Sequence, residues 1–427
     1  MGPSSSHTMG PRRAAERVAD MFPDCEGFRV TLYGSLAATG RGHLTDQAIL
    51  DVLPSTEIVW LPTEVLPEHP NGMRFEALEG GRSVGEYTCF SVGGGALVDQ
   101  NTQGGPPGTA AAASYEVYSL HTMNSILEWT RQSGLRICDY AFQHEGDGLR
   151  HHLTECWEAM NDAIDRGLSA QGVLPGPIRL GRKARATKMR ALATSSNKAW
   201  LMAYALAVSE ESAAGGRVVT APTCGSCGVL PAVLRSLSET MASQITTNDI
   251  IDSMATAGII GNICKSNASI SGAEVGCQGE VGVGCAMAAA AACQLLGGSP
   301  YQIEMAAEAG IEHHLGMTCD PVEGLVQIPC IERNVFAATR AIDCAEYALL
   351  SDGRHKISLD EVVLTMKITG DDIKAAYRET AMAGLARTHD MDERLQDNRH
   401  GHGDGKGGSP CRFCGLSGSR PSCMGPS

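Results

Sequence analysis

Up to about residue 95 the chain sets short apolar runs between glycine-rich turns. Alternation of apolar and polar positions predicts strands at 28–32, 57–61 and 87–92, the last running into Gly93, Gly94 and Gly95. Helices are expected at 12–21 and, after Thr45, at 46–52. From about residue 115 the period changes. Segments 118–132, 149–166, 198–210, 247–264, 283–296 and 300–314 have helical spacing and length, and no comparable series of strands accompanies them. The pattern predicts an α+β fold: a small N-terminal α/β domain over 1–99, then a larger, mainly α-helical domain over 115–390. Between them, 100–114 is rich in Gln, Gly, Pro and Ala, the composition of an exposed linker. Residues 391–427 end in Gly, Ser, Pro, His and charge. They cannot bury enough apolar surface to fold alone and are expected to form a flexible, disordered tail.

Composition narrows the partners. The 427 residues are 43% hydrophobic and 19% charged, a globular balance. With 34 Lys and Arg against 48 Asp and Glu, the formal charge is −14, which argues against nucleic acid and against an anionic membrane surface. The first residues carry no apolar signal core, so a cytoplasmic location is expected. One stretch, 281–303, has no charge at all. It is built from Ala and Gly, which gain little from transfer to lipid, so a buried helix rather than a membrane span is predicted.

Sixteen cysteines then call for an explanation. In a reducing compartment they are buried small hydrophobes or metal ligands, not a disulfide framework. Cys277, Cys319 and Cys330 stand in loop-like contexts: Gly276-Cys277-Gln278-Gly279, Thr318-Cys319-Asp320-Pro321 and Ile328-Pro329-Cys330. Gly and Pro beside a cysteine let backbone N–H groups approach the sulfur. The set lacks a tight C-x2-C spacing, so the residues alone leave core and ligand readings open.

A series of segments in one order decides more. They are Gly2-Pro3-Ser4-Ser5-Ser6-His7-Thr8-Met9-Gly10-Pro11, Leu32-Tyr33-Gly34-Ser35-Leu36-Ala37, Gly42-His43-Leu44-Thr45-Asp46, Val219-Thr220-Ala221-Pro222-Thr223, Asn267-Ala268-Ser269-Ile270-Ser271-Gly272-Ala273-Glu274, and His313-His314-Leu315-Gly316 through Cys330. Over nearly all of 2–386 the chain resembles the iron–sulfur-dependent L-serine dehydratases (L-serine ammonia-lyases) of the single-chain bacterial type, with fused beta and alpha regions. The resemblance implies a lyase that converts L-serine to pyruvate and ammonia on a [4Fe–4S] cluster, without pyridoxal phosphate, and a homodimer is expected. It implies Cys277, Cys319 and Cys330 as ligands of three irons, the fourth being left for substrate.

For the remaining site the resemblance points to Ser4, Ser5, Ser6, Thr8, Thr223, Asn267 and Ser269 as substrate-binding groups, His7 as the base and Glu274 as an outer support of the ligands. Hydroxyls ahead of the helix at 12–21 also suit plain N-capping, and both readings of that run stand. His43 is open between a loop histidine and a functional one, and His313 or His314 is expected to face the core with a satisfied hydrogen bond. Two features depart from the family. Met1 stands directly before Gly2, where family chains carry a strand, so His7 is expected to be weakly anchored. The chain also runs past Ala386, with its last thiols, Cys411, Cys414 and Cys423, in the tail. No fourth protein ligand is assigned. Competing readings are a lyase acting on another amino acid such as L-cysteine, a pyridoxal-phosphate enzyme using Lys198, and a non-catalytic cluster sensor.

Overall fold

In the computed structural model residues 2–99 and 117–389 are described. The predicted linker at 100–114, Cys411, Cys414 and Cys423 lie outside them. The chain opens with a single π-type turn, Ser5–Met9, and helix α1, Gly10–Met21. Next come β1 Gly27–Tyr33, α2 Gly34–Thr39, α3 Thr45–Leu50, β2 Thr56–Leu61, β3 Gly72–Glu79, β4 Arg82–Ser91 and β5 Leu97–Asp99. The sheet order is β2-β1-β3-β4-β5; β1 and β2 are parallel and the other pairs antiparallel. The parallel pair needs a crossover, which α2 and α3 supply. Strand period 2 is plain in the core: Phe28, Val30 and Leu32 of β1 and Met73, Phe75 and Ala77 of β3 point inward against Ala14, Ala15 and Val18 of α1.

The helical part follows: α4 Met123–Ser133, α5 Ile137–Glu145, α6 Gly148–Ser169, α7 Ala184–Thr194, α8 Asn197–Ala213, α9 Val229–Thr240 and α10 Thr247–Asn267. A one-turn α11, Gly272–Val275, leads to α12 Val283–Leu295, α13 Pro300–Glu312, α14 Cys330–Leu349 and α15 Leu359–Asp372. Their starts are written locally. Thr246, Ser299 and Ser358 each cap a helix while the third residue in, Asp249, Gln302 or Glu361, returns a bond to the cap. The first predicted helix starts at Met123 rather than 118, because the Thr122 side chain accepts the N–H of Ser125 and fixes the start there.

The uncharged stretch forms α12, the axis of the bundle, packed by α9, α10, α13 and α14. Val283 through Cys293 are all buried. Small side chains allow close approach: a Cβ on Gly310 of α13 would lie 2.8 Å from Ala286 Cα. Among the described residues no helix is long and apolar enough to cross a membrane. Residues up to Arg387 form one compact unit. The sheet part meets the helical part through several loops. Gly2 N–H donates to Gly216 O (3.1 Å), Gly93 lies against Ile270 and Ser271, and Gly42 against Gly324. That junction holds the cysteines singled out above.

Candidate functional site

Each of the three thiols is delivered by a different local device. Cys277 follows Gly276, whose φ of 75° is cheap only without a Cβ, and opens the π-type turn Gln278–Gly282. Cys319 is strapped to a late segment: its N–H donates to Tyr377 O and its carbonyl accepts from Glu379 N–H, both at 2.8 Å. Cys330 opens α14, where Asn334 Nδ2 donates to Cys330 O (2.8 Å) and Gly225 O (2.7 Å) and Asn334 Oδ1 accepts from Gly228 N–H (2.9 Å). All three thiols are buried. One sulfur each from Cys277 and Cys319 and a carboxylate oxygen of Glu280 lie within 4.8 Å of one another. Cys319, Cys330, Glu280, Glu379, His43 and Ser4 line a single small cavity.

The charges there are coupled. The neighbouring Cys319 sulfur lowers the Cys277 thiol against the opposing effect of burial. The contact with Cys277 raises Cys319, and burial raises Cys330. Burial works against the Arg333 cation, yet Cys277 and Cys330 hold its proton on. Arg333 is anchored by Thr318 O (2.6 Å) and Asp320 (3.1 Å). Burial pushes Glu280 up to about 7 although Thr223 Oγ1 donates to it at 2.8 Å. Glu379 is raised well above the carboxylate range by burial and then by Glu280.

The N-terminal run forms the facing wall. His7 is fully buried, and burial followed by the neighbouring His43 holds it neutral well below its ordinary 6.5. It is nonetheless tied down from four sides. Ser4 Oγ accepts its N–H (3.0 Å), Thr45 Oγ1 donates to its carbonyl (2.5 Å), Ser6 Oγ meets Nδ1 (2.8 Å) and Ser35 Oγ meets Nε2 (3.0 Å). The expected weak anchoring is therefore corrected: contacts from β1–α2 and α3 do what a preceding strand was thought to do. Ser35 spends its one proton on Glu379 O (2.8 Å), so it must accept from His7 Nε2–H, which leaves Nδ1 as the basic nitrogen. Glu379 Oε1 stands 3.6 Å from His7 Nδ1 and 3.8 Å from His43 Nε2. His43 is buried and lowered to about 4, chiefly by burial. Thr8 Oγ1 donates to His43 O (2.6 Å), and Ser5 is buried beside it.

Ser4 caps the π-type turn Ser5–Met9 and lines the cavity, whereas α1 itself starts after Met9, without a side-chain cap. Ser269 Oγ donates to Glu274, which also pairs with His69 at 3.3 Å. Burial of Glu274 is outweighed by His69, and its carboxyl is lowered. The Asn267 amide donates to His121 O (2.7 Å) and Ile263 O (3.0 Å), closing α10. Lys265 is exposed, and His314 turns inward with Nδ1 on Gly310 O (2.6 Å). Glu280, Glu379, Arg333, Ser35, His69 and the buried pair Cys224 and Cys227 were not singled out by pattern. Of these, Glu280, three residues after Cys277, and the C-x2-C spacing of Cys224 and Cys227 carried a local signal.

Two glycines test whether these residues fit a cluster. A Cβ on Gly272 would lie 3.0 Å from Glu280 Oε2 and 3.2 Å from both Cys319 Sγ and Glu379 Oε2; one on Gly225 would lie 2.9 Å from Glu280 Oε1. Bare backbone at both keeps the space before the sulfurs clear. Glu379 Oε2 and His43 Nδ1 are buried there without a hydrogen-bond partner. Soft thiolate donors beside a guanidinium suit an iron–sulfur group. The residues fit.

A five-stranded sheet joined to a helical bundle carries a cysteine-, carboxyl- and imidazole-lined cavity at the junction. The family described as "Serine dehydratase alpha chain" matches residues 109–386, and "Serine dehydratase beta chain" matches 1–53 and 50–102. The chain is 41% identical over 439 residues to an L-serine dehydratase of Streptomyces coelicolor, covering 90% of this chain and 96% of the relative. It is 40% identical to L-serine dehydratase 2 of Escherichia coli over 440 residues, and to the L-serine dehydratase of Haemophilus influenzae over 443, with the same coverage. The chain belongs to the serine dehydratase family.

Proposed function

We propose that this chain is an L-serine dehydratase, a carbon–nitrogen lyase that converts L-serine to pyruvate and ammonia, with a [4Fe–4S] cluster held by Cys277, Cys319 and Cys330. The observation that carries the reading is that the buried Cys319 and Cys330 line one small cavity with the His43 imidazole, while the buried Cys277 sulfur lies within 4.8 Å of the Cys319 sulfur. When bound, the cluster supplies a Lewis-acidic iron for the β-hydroxyl and carboxylate of serine. Ser4, Ser5, Ser6 and Thr8 offer hydroxyls and N–H groups to the substrate carboxylate, with Thr223 and Ser269 on the opposite wall. Asn267 supports Ser269 by closing α10, and Glu274 holds Ser269 through its hydroxyl. His7 takes the α-proton at Nδ1, the nitrogen left basic by the Ser35 contact. Glu379, whose carboxyl burial raises well above the carboxylate range, gives a proton to the departing hydroxyl. Aminoacrylate then tautomerises to the imine, and water hydrolyses it to pyruvate and ammonia. A cytoplasmic homodimer without nucleic-acid partners is part of the proposal.

The pyridoxal reading is the weaker one. Lys198 is exposed in the first turn of α8, whereas a Schiff-base lysine works desolvated. Anaerobic purification with iron and sulfide quantification and a pyruvate assay on L-serine tests the proposal. Deamination by iron-free protein refutes the cluster. A cluster-loaded protein that makes no pyruvate from serine, threonine or cysteine points instead to sensing.

A further inference from the structure

Cys330 opens α14 and Arg333 stands three residues on, so the spacing puts thiol and guanidinium on one face of the first turn. From there Arg333 reaches the loop that carries Cys319 and holds it on both sides. Nη1 donates to the carbonyl of Thr318, just before the thiol (2.6 Å), and Nη2 to Oδ1 of Asp320, just after it (3.1 Å). Asp320 is fixed in turn: Thr318 Oγ1 donates to its Oδ1 (3.1 Å) and Leu385 N–H to its Oδ2 (2.8 Å). The ion pair is largely withdrawn from water, its side chains 18% and 5% exposed. The third ligand loop is touched as well. The guanidinium favours the thiolate forms of Cys277 and Cys330, by its charge on both and by contact with Cys277. One planar cation thus faces all three thiol-bearing segments.

We infer that Arg333 is a positioning residue for the cluster: its guanidinium sets the spacing of the ligand segments and offsets the negative charge they bring together. The inference rests on the cluster reading above. Three buried thiolates outweigh the positive charge of an oxidised [4Fe–4S] core, and an added electron deepens the imbalance. A fixed cation beside them, where water screens little, stabilises both the charged ligands and the reduced core. Charge and clasp are separable. Lysine carries the same charge, but its single ammonium lacks the planar fork that spans Thr318 O and Asp320 together.

Anaerobically purified full-length protein tests this through two readouts that do not depend on turnover. One is the midpoint potential of the cluster, followed by electron paramagnetic resonance; the other is iron retained against a chelator. Arg333→Met removes charge and clasp together. Its potential should fall, and the chelator concentration that strips half the iron should drop about 10- to 100-fold. Arg333→Lys should keep the potential near that of wild type while iron retention stays low. An unchanged potential in Arg333→Met overturns the inference, and so does a fallen potential or wild-type iron retention in Arg333→Lys. Where Arg333→Met holds too little iron or structure to titrate, Arg333→Lys decides alone. Wild-type protein that carries no iron overturns the cluster reading itself, and this inference with it, before any variant is compared.

Discussion

Glu280 shows how much chemistry one side chain takes from its surroundings. Burial pushes it up to about 7 from its ordinary 4.5, while Thr223 donates to it. A carboxyl raised on folding binds its proton more tightly in the folded chain, so its contribution to stability falls as pH rises from 4.5 through about 7. Glu280→Gln keeps an acceptor for Thr223 and removes that titration. In cluster-free protein, urea unfolding should find this variant gaining on the wild type by about 2–4 kcal/mol between pH 5 and pH 8. A gap that does not change with pH contradicts the raised carboxyl. The thiols act at the same scale. Cys277→Ala, Cys319→Ala and Cys330→Ala should each remove iron and pyruvate formation together, measured on anaerobic protein whose circular dichroism is unchanged.

Elements carry these groups to their places. The start of α14 is coupled to the turn at 224–228 through Asn334, which is 2% exposed and makes three bonds to backbone. Asn334→Ala leaves Gly228 N–H and Gly225 O buried without that partner, so a loss of about 2–4 kcal/mol is expected in urea unfolding. The same change should lower iron content, since Cys330 opens that helix. Within α12 the limit is space. Ala289 is wholly buried among four helices, and Ala289→Leu should cost about 1–3 kcal/mol by overpacking, read from the same unfolding curves. A neutral effect would mean that the axis of the bundle is looser than its Ala-rich contacts indicate.

For the molecule as a whole, the site exists because two differently built parts meet. Sheet-side loops bring His7, Ser35 and His43; bundle-side turns bring Cys277, Glu280, Cys319 and Cys330, and Glu379 follows the short 3-10 turn Ala375–Tyr377. Lys198 lies outside this chamber's lining and is exposed. Lys198→Arg should therefore leave anaerobic pyruvate formation from L-serine within about twofold of wild type, as for a surface change. Loss of activity in that variant would revive the pyridoxal reading.

Much of this was legible along the chain. Period and capping chemistry marked α10 and α13 nearly to their ends, because Thr246 with Asp249 and Ser299 with Gln302 act within one turn. Composition marked α12 as buried, and glycine and proline beside three thiols set them in loop-like contexts without deciding between core and ligand. Strand β3 escaped notice: its inward Met73 and Ala77 have weak strand preference, and pairing with β1 and β4 makes the strand. Glu379 had no mark among 48 acidic residues, since its carboxyl is raised by burial and then by Glu280, 99 positions away. Local hydrogen bonds and side-chain periodicity are properties of neighbours in sequence, so the chain by itself marked its most periodic helices and most strands, while α5, α7, α9, α14 and α15 escaped it. Desolvation and charge coupling depend on what long loops bring close, so only the tertiary structure decided which carboxyls and imidazoles stand beside them.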